Sequence, residues 1–81
     1  MNKQDIVVHI KDEAMLNEAR EILESAGEIP DLDNIMWRLD KDEDFNNLQY
    51  GSHSGKWFLS VKTPLRKTEI TLTQLKELLN K

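Results

Sequence analysis

The chain has no cysteine. Disulfides, thiolate zinc sites and a cysteine nucleophile are therefore excluded. A small domain without such staples points to a reducing compartment, so a cytoplasmic protein is expected. No apolar run approaches the ~18 residues that span a bilayer. The opening stretch, MNKQDIVVHIKDE, carries acid at Asp5 and has no long apolar segment, so no signal peptide is expected there. Histidine is also scarce. His9 and His53 stand too far apart in sequence to suggest a zinc site, and no metal or cofactor is expected. No glycine-rich phosphate loop is visible. Aromatic residues are few, at 6% of the chain, so each must be assigned either to the core or to a contact surface.

What is present fits one small body. Eighty-one residues make a single domain, 1–81, and 38% hydrophobic content supplies a lean core. The net charge of −4 is unevenly spread. Residues 1–27 carry net −3, residues 28–44 net −5 and residues 56–81 net +4. A polyanion would be repelled by most of this chain and could meet only its basic end.

The periodicities give the elements. Ile6, Val8 and Ile10 alternate with Val7 and His9, which predicts a strand over 5–10. Met15, Leu16, Ala19, Ile22, Leu23 and Ala26 recur at helical spacing, with Asp12 as N-cap and Gly27 as terminator. A helix over 13–26 follows. Residues 28–46 are open between two readings. Leu32, Ile35, Met36 and Leu39 fit a helical stripe starting near Pro30 and Asp31, and this is favoured. Ile35, Trp37 and Leu39 also alternate as a strand would. Residues 47–62 predict a hairpin turning at GSHSG, 51–55. With four residues looped out, Tyr50 faces Trp57. Residues 68–70 are extended. Thr71 and Gln74 then form a capping box, flanked by Ile70 and Leu75 as a hydrophobic staple, which opens a last helix. The fold expected is α+β: a small antiparallel sheet packed by two or three helices, in the order β-α-(α or β)-β-β-α.

Each candidate site has an ordinary counterpart. Asp40, Asp42 and Asp44 share the first spacings of an EF-hand loop. Phe45 and Gly51 then stand where that loop needs glycine and glutamate, so a solvated acidic loop is expected. Ser52, His53 and Ser54 are neighbours on a turn tip, without the rigid third group that activates a serine. Acid–base chemistry needs a pocket that perturbs carboxylates, and little volume is left for one, so the chain reads as no enzyme.

Recognition is the better reading. Trp57 and Tyr50 are assigned to the core. Trp37, Arg38, Asp40, Asp42, Glu43, Asp44 and Phe58 are the predicted contacts with a partner protein. An alternative set, Lys56, Trp57, Phe58, Lys62, Arg66 and Lys67, would suit single-stranded nucleic acid, through stacking rings and phosphate-binding cations. A structural homo-oligomer is the third option.

In its early strand and helix (IVVHIKDEAMLNEAREILESAGE), its GKWFLSV strand and its closing EITLTQLKELL helix, the chain resembles the small accessory proteins of tailed bacteriophages. The resemblance implies a modulator or inhibitor that binds one host protein, and it carries no individual functional residue with it.

Overall fold

A computed structural model describes residues 2–32, 46–60 and 66–80. After a 3₁₀ turn, Lys3–Asp5, the order is β1 (Ile6–Ile10), α1 (Glu13–Ser25), β2 (Pro30–Asp31), β3 (Asn46–Gly51), β4 (Lys56–Ser60), β5 (Thr68–Glu69) and α2 (Leu72–Leu79). The class is α+β as expected.

The sheet is mixed rather than antiparallel, in the order β2-β4-β3-β1-β5. β3 pairs antiparallel with both β1 and β4, while β5 runs parallel to β1 and β2 parallel to β4. Only β3 therefore runs against the rest. The direction of β2 follows from its connection. α1 carries the chain across the sheet from β1 to β2, and such a crossover returns the chain in its original direction.

Local chemistry explains the ends of each helix. The Asp12 carboxylate accepts from the Met15 backbone N–H at 2.8 Å and caps α1. At the other end Gly27 takes a φ of 78°. The Glu28 N–H returns to the Leu23 carbonyl at 2.9 Å, and that of Gly27 to Glu24 at 3.1 Å. This is the paired closure of a Schellman turn, and it fixes the direction in which Glu28 and Ile29 leave the helix. On α2 the Thr71 hydroxyl accepts from the Gln74 N–H at 3.2 Å, and the Gln74 side chain accepts from the Thr71 N–H at 2.9 Å. The capping box is formed.

One sheet face carries Ile6, Val8, Ile10, Leu48 and Trp57, and packs with Leu16, Ala19, Leu23, Leu72 and Leu75 of the helices into one core. Ile70 and Leu75, the staple residues, both belong to it. On the other face Val7 and Asn47 are also buried, so central β1 and β3 are covered on both sides. The Asn47 amide there donates to the Ser60 carbonyl at 3.2 Å.

Residues 28–46 depart from expectation where they are described. Pro30 and Asp31 do not open a helix; they form β2, in register with Trp57 and Phe58. A residue before proline favours extended backbone, and Ile29 accordingly presents its carbonyl to the Trp57 N–H at 2.9 Å. Because the backbone groups of Ile29 and Asp31 turn toward β4, those of Pro30 point to the open edge of the sheet. The stripe Ile35, Met36 and Leu39 lies outside the described residues. The hairpin forms as expected, with Tyr50 opposite Trp57. Among the described residues no helix is long and apolar enough to cross a membrane.

Candidate functional site

Strand β4 sends consecutive residues to opposite sides. Trp57 goes inward and has 0% exposure; Phe58 goes outward and has 37%. Around Trp57 a polar clasp closes the edge of the core. Its indole Nε1 donates to Glu28 Oε1 at 3.2 Å, and the same oxygen accepts from Lys3 Nζ at 2.9 Å. Lys3 Nζ also lies 4.4 Å from the centre of the Tyr50 ring. Tyr50 meets Trp57 edge to face at 5.6 Å between centroids. One carboxylate thus ties the N-terminal turn and the exit of α1 to the hairpin.

The charges respond to this packing. Burial pushes the Glu28 carboxyl up, but the hydrogen bonds from Lys3 and Trp57 and the lysine charge outweigh it, leaving its pKa below the ordinary glutamate value. The hydrogen bond to Glu28 raises the pKa of Lys3, against a smaller opposing effect of burial. Burial lowers the pKa of Lys67, only partly countered by the Asp5 charge, and its Nζ donates to the Tyr50 carbonyl at 3.4 Å.

On the outer side, Phe58 and Ile29 are the large apolar side chains left exposed among the described residues; Ile29 is 55% exposed. They stand on the neighbouring strands β4 and β2, with exposed Lys56 and Asp31 beside them. The Phe58 ring leans over Gly51. A Cβ added at that glycine would come within 3.1 Å of Phe58 Cε1 and 2.9 Å of Ser54 Oγ. Glycine at 51 is what lets the ring lie on the strand.

Of the predicted partner contacts, Phe58 is placed at this exposed edge. Trp37, Arg38, Asp40, Asp42, Glu43 and Asp44 lie outside the described residues, as does Lys62 of the nucleic-acid set. Trp57, a stacking ring in that alternative, is sealed in the core, because its neighbours on the inward face are Tyr50 and the helices. Lys56 and Arg66 are exposed, whereas Lys67 is half-buried. Ile29, Glu28 and Lys3 are the residues that sequence reasoning passed over. For Ile29 the Ile29-Pro30 step is the available signal, since it favours an extended backbone.

An open cleft of about 370 Å³ lies where β1 and β5 meet the first turn of α2, lined in part by His9, Lys11, Glu69 and Thr71. His9 Nδ1 lies 3.3 Å from Glu69 Oε2. The imidazole Nε2 is buried. Among the described residues no three His, Asp or Glu side chains are grouped to hold a metal ion. Comparison with known proteins finds no matching family model, no matching curated protein and no matching solved structure.

Proposed function

We propose that the chain is a non-enzymatic protein-binding module that acts by covering a surface of a partner protein. The observation behind this reading is the adjacent exposure of Phe58 and Ile29, set between charged neighbours at the rim of a well-packed sheet. An exposed aromatic ring with an aliphatic neighbour is the kind of anchor that interfaces use. The acidic segment 28–44 would add electrostatic steering toward a basic surface. The phage-like style of the sequence makes a bacterial host protein the natural target, with modulation or inhibition as the outcome.

The test compares surfaces rather than counting captured proteins. The immobilised chain and its Phe58→Ser, Ile29→Lys and Asp42→Lys/Glu43→Lys variants are exposed to bacterial lysate, and retained proteins are identified by mass spectrometry. One protein held by the parent chain and lost from the Phe58 and Ile29 variants, with the native circular dichroism spectrum retained, supports the reading. An identical retained set for all four chains rejects it. Oligonucleotide binding that weakens log-linearly with salt would instead favour the nucleic-acid alternative.

A further inference from the structure

The geometry points to a second binding event at the same rim: two copies of this chain pair face to face through Ile29, Asp31, Lys56 and Phe58. β2 and β4 run parallel, with Asp31 beside Phe58 and Pro30 beside Trp57. One step back in register, Ile29 stands beside Lys56, and its carbonyl accepts from the Trp57 N–H at 2.9 Å. Alternation brings Ile29, Asp31, Lys56 and Phe58 to one face, and all four are exposed. Neighbouring strands lie about 5 Å apart and alternate residues about 7 Å apart, so the four side chains occupy the corners of a rectangle of those sides.

The two diagonals of that rectangle differ. Ile29 and Phe58 hold one; Asp31 and Lys56 hold the other. A two-fold axis lying along the apolar diagonal sets Phe58 on Phe58 and Ile29 on Ile29. It also brings each Lys56 opposite the Asp31 of the other copy, twice over. An axis along the charged diagonal would set like charge on like charge, which costs affinity. The patch is therefore complementary to itself in one orientation, as a closed dimer contact requires. The strands of the two copies then cross steeply, in the manner of orthogonal sheet packing. Pairing rim to rim through β2 is disfavoured, because the outward residue there is Pro30, which has no N–H to donate.

Four side chains cover much less than the roughly 1,200 Å² of a stable complex, so the dimer is weak, with a dissociation constant between about 10 μM and 1 mM. This inference does not depend on a foreign partner. The purified chain alone reads it, so its failure and the failure of the binding reading are separate results.

Sedimentation velocity across that concentration range is the experiment. The parent chain shifts from monomer toward dimer as concentration rises. Ile29→Lys weakens association at least tenfold. Asp31→Lys and Lys56→Glu each weaken it several-fold. The double variant Asp31→Lys/Lys56→Glu returns it to within about twofold of the parent, because the charged diagonal is reversed but still complementary. The thermal midpoint of each variant verifies folding, since all three substituted side chains are exposed. A parent chain that stays monomeric throughout overturns the proposal. So does a dimer that is indifferent to the single charge changes, or one that the double variant fails to restore.

Discussion

The inward and outward sides of β4 face very different surroundings one residue apart. At Trp57 the ring is enclosed, its N–H is bonded to Glu28 and its edge is met by Tyr50. At Phe58 the ring rests on a glycine and looks out. Both are large aromatic residues on the same five-residue strand. The pleat decides which one supports the fold and which one is left over for contact. The difference also shows why the inward ring needs a polar partner: a buried indole N–H without an acceptor would cost more than the ring gains at its edge.

Substitutions can break this contrast, and the largest effect belongs to the core side. Trp57→Ala should cost about 3–5 kcal/mol. The whole domain has roughly 4–12 kcal/mol of stability at its length, so this variant sits near unfolding. Urea denaturation followed by circular dichroism measures it, and a loss below about 1.5 kcal/mol would mean the ring is not the keystone of the core.

Next comes Glu28. Glu28→Ala leaves the indole N–H and the Lys3 ammonium without their shared acceptor, for a loss of about 1–3 kcal/mol; Glu28→Gln, which keeps an oxygen there, should lose less. The pH dependence has a definite sign. The folded-state pKa of Glu28 is depressed, so its contribution is present above the ordinary glutamate pKa and is lost as pH falls through the folded value. That of Lys3 is raised, so its contribution is present below the ordinary lysine pKa and is lost as pH rises through the folded value. Both therefore support the fold across neutral pH. Urea titrations at stepped acidic pH should show the parent chain losing stability more steeply than Glu28→Gln. Parallel curves would remove the clasp from the account.

How much of this contrast the sequence carries depends on how local each signal is. The opposition of Trp57 and Phe58 is legible from alternation alone, and the facing of Tyr50 and Trp57 from the length of the GSHSG turn. The caps at Asp12 and Thr71 are written in residues three apart. The edge strands are not legible in this way. β2 and β5 have two residues each, too short to show a period of two, and their parallel partners lie far away in sequence. Pro30 and Asp31 imitate a helix start because proline favours both the first turn of a helix and an outer strand. The Lys3–Glu28–Trp57 clasp joins residues up to 29 positions apart in pairs, and no local pattern announces it.

Smaller effects sharpen the outer side. Gly51→Ala drives a methyl group against Phe58 and Ser54, so the ring must lift. A cost of about 1 kcal/mol is expected, together with greater exposure of the ring. Chemical shifts of the Phe58 ring protons against the parent chain report the lift directly, and unchanged shifts would contradict the contact. Phe58→Ser should have the mildest effect on stability, about 1 kcal/mol or less, because the ring is already part-solvated. If it matched the loss at Trp57→Ala in the same urea assay, the two sides of β4 would not differ as described.

Pro30 has a consequence for behaviour at high concentration. Exposed strands invite further strands to dock and so seed fibrils, and a rim residue lacking a donor interrupts that growth at its first hydrogen bond. At the opposite rim β5 offers only Thr68 and the charged Glu69. Both margins thus present little free backbone for another chain to extend, which works against amyloid growth when the protein is concentrated.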